Sequence, residues 1–327
     1  MAKGVFLLKK QLGKFFTKIN VFKYLPFQEW ISQIPNFEDR LILEPFAGNM
    51  DLIYFLQEIG IKNKYQCFDI VPENENVIQN DSIKNFPKYK DCVVITNPPY
   101  LAKSSSTRLK LDYENKKYNN LYLECLSIML KNSEFVCVII PESFITSGLF
   151  HERLFSIASL NEQIFEDTDC PVCLAMFNGS NKFKMKKDFK IYIGNDYLNT
   201  YQNLVKISES ILNVKKSNKI KFNVPDGNIG LYAIDSTKED SIRFVLGNEI
   251  ENNKIKVTSR SITKILIDRE VKQVDIDKMN NLLNKWRKET GDVFLTSFKG
   301  LRQDGKYRRR LSFDIANQII RCCLGDK

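Results

Sequence analysis

With 327 residues, 43% of them hydrophobic and 12% aromatic, the chain can build one large or two ordinary globular domains, which excludes a disordered protein. Lysine and arginine number 49 against 39 acids, a formal net charge of +10, so polyanionic partners come into view. No apolar run approaches the ~18 residues of a membrane span, and "VFLL" near the start is too short for a signal peptide, so a cytoplasmic protein is expected.

Helical spacing of apolar residues covers 19–34, through Phe22, Leu25, Phe27, Trp30, Ile31 and Ile34. "RLILEPFAGNMDLIYFLQEIG" then reads as a short strand, a Gly-containing turn and an amphipathic helix ending at Gly60. "KYQCFDIVPE" is a second strand with an acid near its carboxyl end, and "VIQNDSI" a third, edge-like strand followed by an acid. In "CVVITNPPYLAK" the run Val93, Val94, Ile95 reads as a buried strand, continuous and apolar rather than alternating. Asn97-Pro98-Pro99-Tyr100 stops it, because consecutive prolines fix φ and bias each preceding residue towards extended backbone. Taken alone, this is either a rigid strand-ending turn or a stiff platform where α/β sheets hold their ligands. A helix across "NLYLECLSIMLKN", a fifth strand "EFVCVIIPESF", a helix at Phe150–Ser159 and strands near "EQIFE" and "VCLAMF" follow.

Strands alternating with helices predict an α/β fold with a doubly wound, parallel, Rossmann-like sheet. Beyond about residue 190 the alternation fades into short strands, "KDFKIYI" and "NIGLYAI", and helices such as "DKMNNLLNKWRKE". The expected domains are therefore 1–190 and a second, basic α+β domain at 191–327. Charge supports the division: residues 1–177 hold 19 basic and 21 acidic residues, the remainder 30 and 18. Such asymmetry points to a polyanion-binding module beside a near-neutral one. Arginine is concentrated in "KGLRQDGKYRRRLSF", and its planar fork suits phosphate and base contacts better than lysine does.

The eight cysteines form no disulfide scaffold, and Cys170-Pro-Val-Cys173 is the only C-x-x-C, so no structural zinc site is expected. The single histidine, His151, argues against histidine triads, H-E-x-x-H metal sites and histidine shuttles. The chemistry should need little acid–base help and no metal.

A strand followed by "EPFAG", an acid at the end of the next strand, an acid after the third and NPPY after the fourth: this order resembles an S-adenosylmethionine-dependent N6-adenine DNA methyltransferase. Upstream, "LGKFFTKINVFKYL" is similar to that family's amino-terminal cofactor motif, and a basic domain placed last is similar to the gamma class. The resemblance covers roughly residues 8–180. Met50 stands where the family commonly has a second glycine, and Lys18 where its upstream motif usually has proline.

The resemblance implies S-adenosylmethionine as cofactor, bound by Thr17, Glu44, Pro45, Phe46, Ala47, Gly48, Asp69, Asp81, Asn97 and Pro99. Glu44 would meet the amino-acid ammonium and Thr17 the methionine carboxylate; Asp69 would take the ribose hydroxyls and Asp81 the adenine amine. Gly48 would let the backbone approach closely. Catalysis would rest on Asn97, Pro98, Pro99 and Tyr100. The exocyclic amine of adenine is a poor nucleophile because its lone pair is delocalised; the Asn97 side-chain oxygen and Pro98 carbonyl, accepting its two N–H groups, would reduce that delocalisation. Tyr100 would stack on a flipped-out base, with Phe165 on the other face or simply an ordinary core phenylalanine.

Double-stranded DNA is the expected partner, met by Lys103 and Arg108 in the polar loop after Tyr100 and by Lys299, Arg302, Lys306, Arg308, Arg309 and Arg310. A monomer is expected, as the modification half of a restriction-modification system, sharing its recognition sequence with an endonuclease without stable binding. An RNA adenine methyltransferase, a protein-glutamine methyltransferase and a decayed methylase that only binds remain as alternatives.

Overall fold

The computed structural model describes residues 17–102, 117–160, 162–165, 169–179, 188–213, 220–255 and 260–324. The chain divides into two compact units, residues 1–200 and 201–327.

In the first unit a 3-10 turn (Val21–Lys23) and helix α1 (Leu25–Ile31) replace the continuous helix expected over 19–34. Pro26 is tolerated in a first helical turn but not in a helix interior, so Tyr24 is extended and the helix restarts after it. Then come β1 (Leu41–Glu44), α2 (Asp51–Glu58), β2 (Tyr65–Asp69), β3 (Ile78–Gln79), β4 (Cys92–Thr96), α3 (Leu121–Asn132) and β5 (Phe135–Pro141). They are followed by β6 (Leu154–Leu160), β7 (Val172–Phe177), β8 (Lys190–Ile193) and β9 (Asp196–Thr200).

All nine strands join one sheet in the order β3-β2-β1-β4-β5-β7-β6-β8-β9. Strands β1 to β5 pair parallel, whereas β7 runs antiparallel to both β5 and β6, and β9 antiparallel to β8. The sheet is thus mixed, α/β and Rossmann-like. From β1 the chain winds one way through β2 and β3, and from β4 the other way through β5, so the order reverses between β1 and β4. Open α/β sheets leave a crevice at the carboxyl ends of the strands at such a switch point.

Three readings of the sequence change here. The helix expected at Phe150–Ser159 is a short 3-10 turn (His151–Arg153) followed by β6. Phe150, Leu154, Ile157 and Ala158 have helical spacing, but a strand buried on both faces is apolar at nearly every position and mimics it. The strand expected near "EQIFE" is reduced to an isolated bridge between Phe165 and Thr17. "KDFKIYI" contributes β8 to the first unit's sheet, so that unit extends to Thr200 instead of ending at 190.

The second unit is α+β. Helix α4 (Tyr201–Ile211) leads to β10 (Lys221–Phe222), β11 (Ile229–Tyr232), β12 (Arg243–Leu246) and β13 (Ile262–Leu266), an antiparallel sheet in the order β10-β13-β11-β12. Helix α5 (Gln273–Thr290), the hairpin β14 (Thr296–Leu301) and β15 (Tyr307–Arg310), and helix α6 (Phe313–Leu324) complete it. Its core takes Ile229, Leu231 and Ile265 from the sheet, Ile276, Met279, Leu283 and Trp286 from α5, and Ile319 and Ile320 from α6. Gly291 ends α5 in the left-handed region (φ 57°), where glycine carries no Cβ penalty. Each unit buries one tryptophan whose indole N–H is satisfied: Trp30 donates to Asn178 Oδ1 (2.5 Å) and Trp286 to Ser208 Oγ (2.8 Å).

Candidate active site

At the switch point a cavity opens between the turn after β1, the carboxyl ends of β2 and β3, and the segment after β4. Thr17, Glu44, Phe46, Ala47, Gly48, Asp69, Asp81, Asn97 and Pro99 all line it. Pro45 is buried and is not among the lining residues. Thr17 reaches the cavity because its backbone bridges Phe165, with Lys18 N–H donating to the Ile164 carbonyl at 2.9 Å. The start of the upstream motif, 12–16, lies outside the described residues.

The turn from β1 into α2 is held to β2. Ala47 N–H donates to the Phe68 carbonyl (2.8 Å), and Gly48 N–H donates to Asp69 Oδ2 (2.9 Å). Gly48 sits at φ 50° and Met50 at φ 68°, so two residues of this turn occupy the left-handed region. For methionine that conformation costs on the order of 1–2 kcal/mol. Met50 persists there because its side chain is almost wholly buried in the core. The position taken by glycine in the resembling family thus keeps a glycine-like backbone here, and core packing offsets the strain.

The acids divide by what they already hold. Asp69 is buried, and its other oxygen, Oδ1, accepts the Val71 N–H at 2.8 Å. Asp81 Oδ1 accepts the amides of Ile83 and Lys84 (3.2 and 3.3 Å), closing the turn after β3. Glu44 differs: it is 1% exposed and its Oε2 has no hydrogen-bond partner among the described residues. Burial, together with the neighbouring charges of Asp51 and Asp69, pushes its carboxyl well above the usual range. A buried carboxylate oxygen without a donor is costly, and a cationic or N–H donor in the cavity would relieve it.

Sequence reasoning missed Asn49, Asp51, Leu52, Ile70, Asn80, Ser82, Ile83 and Leu121, which also line the cavity. Ile70 and Val71 follow directly on Asp69 and are each 45% exposed, an unusual position for large apolar groups, and Ile70 forms a wall with Ile83. Position gave the available signal for these two, since Ile70 directly follows Asp69 at the end of β2 and Ile83 lies two after Asp81 in the turn beyond β3. Acidic floor and apolar walls together fit S-adenosylmethionine: donors on its ammonium and ribose, flat apolar faces on its purine.

Beyond the cavity lies the tetrapeptide. Pro98 is buried and Pro99 half-buried. The Tyr100 hydroxyl stands between Asn97 Oδ1 (2.5 Å) and the Ile139 carbonyl (2.6 Å), one proton shared between two acceptors. Burial raises its pKa, keeping the phenol protonated. Its ring meets Phe165 and Tyr122 edge-on, each with centroids 6.2 Å apart. Phe165 is wholly buried. His151 is also buried, against the rings of Phe144 and Phe189, away from the cavity lining. No group of three or more His, Cys, Asp or Glu side chains among the described residues could hold a metal ion.

The basic residues of the second unit are placed differently from a free cationic surface. Arg302 pairs with Asp240 and Asp304, and Asp304 is held down at about 2 chiefly by its hydrogen bond with Arg302. Arg308 donates to the Asp235 carbonyl (2.7 Å) and lies 5.2 Å over the Phe298 ring. Arg309 is buried and donates to Ser297 Oγ. Lys306 is exposed and Arg310 half-exposed. Lys103, Arg108 and the loop holding them lie outside the described residues, as does the Lys299 side chain.

No family model matches the chain, and no curated protein matches it. Solved structures do. One, described as a modification subunit of a type I restriction enzyme from Vibrio vulnificus YJ016, matches at 13% identity and a TM-score of 0.40, over 59% of this chain and 50% of that one. Another, described as a class I S-adenosylmethionine-dependent methyltransferase from Listeria monocytogenes, matches at 14% identity and a TM-score of 0.38, over 58% of this chain and 72% of that one. The methyltransferase subunit of a type I restriction-modification system from Streptococcus thermophilus matches at 15% identity and a TM-score of 0.36, over 63% of this chain and 55% of that one. The chain thus spans half the length of the first of these proteins.

Proposed function

We propose that the chain is an S-adenosylmethionine-dependent methyltransferase acting on the N6 amine of an adenine extruded from duplex DNA, as the modification activity of a restriction-modification system. The observation that carries this reading is the cavity at the switch point, where the partnerless Glu44 oxygen and the Asn97 amide line one space. Glu44 would hold the cofactor's ammonium, Asp69 the ribose hydroxyls, Asp81 the adenine amine, and Ile70 and Ile83 the purine faces. Bound there, the cofactor supplies an electrophilic sulfonium methyl group.

Asn97 Oδ1 and the Pro98 carbonyl accept the two N–H groups of the target amine and localise its lone pair, and the stiff Pro-Pro backbone keeps both acceptors in place. Because the Tyr100 hydroxyl already lies 2.5 Å from Asn97 Oδ1, the arriving amine must share or displace it. A base stacked on Tyr100 would join a ring that already meets Tyr122 and Phe165 edge-on. The second unit, which takes 25 of the basic residues against 16 acids, serves target recognition in this reading.

Tritiated methyl transfer offered to duplex DNA, structured RNA and a protein extract tests it, followed by sequencing of methylated bases in DNA from expressing cells. Label in duplex DNA at adenine N6 is expected, and label only in RNA or protein overturns the reading. Asn97→Ala should lower transfer by about 10²–10³-fold while cofactor affinity stays within a few-fold.

A further inference from the structure

We propose that the outward face of α5 is the surface by which the second unit meets duplex DNA, an inference that rests on the function proposed above. Positive charge alone does not locate such a surface, because a guanidinium already held by carboxylates has little left to offer a phosphate. Three arginines of the β14–β15 hairpin already have partners: Arg302 the carboxylates of Asp240 and Asp304, Arg308 the Asp235 carbonyl, Arg309 the Ser297 hydroxyl. Within the hairpin Lys306 is exposed and Arg310 half-exposed; a longer row of exposed cations lies on α5.

Helix α5 buries one stripe, Ile276, Met279, Leu283 and Trp286, in the core. On the opposite side Val274, Lys278, Asn281, Lys285 and Lys288 recur at steps of four, three, four and three, which keeps them on a single face, and all five are exposed. Among the described residues none of these three lysines forms an ion pair; the acids of the exposed arc are Asp277, four residues before Asn281, and Glu289, four after Lys285. Asp277 takes the side-chain N–H of Gln273 (2.9 Å). Lys278, Asn281 and Lys285 also border a shallow groove that continues onto α4 and α6.

The dimensions suit the major groove. At 1.5 Å per residue Lys278 and Lys285 stand about 10 Å apart along the axis, and Lys288 about 15 Å from Lys278. A major groove about 12 Å wide admits a helix and lets such a pair reach phosphates along both its walls. Asn281 lies between them, and an asparagine amide matches the adenine N6/N7 edge with two hydrogen bonds. The lysines would position the helix and Asn281 would read a base.

Full-length protein carrying Asn97→Ala, which binds without turnover, is titrated with a fluorescent duplex over a salt series. The target sequence comes from methylated-base sequencing and is compared with a scrambled duplex, an RNA hairpin and a polyglutamate peptide. Replacing Lys278, Lys285 and Lys288 together by alanine should lower the salt slope by about 2.7, at ~0.9 per lost phosphate contact. Arg302→Ala should leave that slope unchanged. Asn281→Ala should keep the slope and lose roughly five- to hundred-fold of the preference for target over scrambled duplex. These exposed sites leave the core intact, and an unchanged melting temperature verifies that each variant folds. If the parent methylates and binds duplex while the triple variant keeps its slope, the surface is wrong and the function stands. If the parent neither binds nor methylates duplex, both fall. A lysine-dependent slope seen with the RNA hairpin or polyglutamate but not with duplex overturns the assignment to DNA.

Discussion

Two buried carboxylates, one in each unit, have opposite fates. Asp235 in the second unit is wholly buried but meets the Arg287 guanidinium at 3.0 and 3.1 Å and accepts the amides of Ser241, Ile242 and Arg309. Burial opposes its charge, but Arg287 outweighs it and holds the carboxyl below its usual range. Glu44 in the first unit is as deeply buried, with no cation beside it among the described residues, and its carboxyl is pushed upwards. One acid is satisfied by the fold; the other keeps an oxygen that no described residue satisfies. Burial by itself therefore does not mark an acid for a ligand; the proposed role of Glu44 rests on its unpartnered oxygen together with its place in the cavity lining.

The contrast can be broken most forcefully from the paired side. Arg287→Met keeps the side-chain stem and strands Asp235, which should cost about 3–5 kcal/mol in urea unfolding. Each unit has one of the two tryptophans, so Trp286 fluorescence in a Trp30→Phe background reports this loss. Survival of the variant at parental stability would mean that Asp235 is already neutral or hydrated.

On the unpaired side, Glu44→Gln should act in opposite directions on stability and binding. Its raised folded-state pKa means that the carboxyl's favourable contribution is fully present below about 4.5 and is lost as pH rises through the folded value. A glutamine does not titrate, so the ligand-free variant should gain melting temperature over the parent, increasingly so as pH rises above 4.5. Affinity for S-adenosylmethionine should fall by roughly 10- to 100-fold, the worth of a hydrogen bond to a charged group. In the parent that affinity should rise with pH, because a cation binds the ionised Glu44. Calorimetric titration across pH checks this, and a flat profile would remove Glu44 from the ammonium site.

His151 offers the smallest effect. Burial lowers its pKa, so the unfolded chain binds the proton more readily. Stability should fall as pH drops below about 6.5 towards the lowered value, at a limiting slope of ~1.4 kcal/mol per pH unit. His151→Leu should abolish that portion of the acid slope, leaving the opposite trend set by Glu44. Urea unfolding of both proteins between pH 5 and 7 would show it, and identical slopes would mean that His151 titrates alike in the folded and unfolded chains.

The sequence exposed what is written locally. The apolar runs of β1, β2, β4 and β5 and the acids or amide at their carboxyl ends could be read because strand, turn and acid are contiguous. Strand β6 could not, since burial on both faces erases the difference between periods of two and 3.6. The internal partners of the arginines of 302–310 could not be read for a different reason. Asp235 and Asp240 lie some 60–75 residues upstream, and pairing at that distance leaves no trace in composition. Ile70 and Ile83 look like ordinary core residues until the fold places them on a cavity wall.

The bridge between Thr17 and Phe165 has a consequence for assembly. Thr17 forms part of the cavity wall only when the connection between β6 and β7 is in place to receive it, so segments almost 150 residues apart must meet before the site is whole. Such a contact is made late, after the loops it closes have already lost their entropy. A ligand that touches Thr17 would therefore favour closure of that junction. A bound cofactor would slow hydrogen exchange at the Lys18 amide, far along the chain from the strands that form the floor.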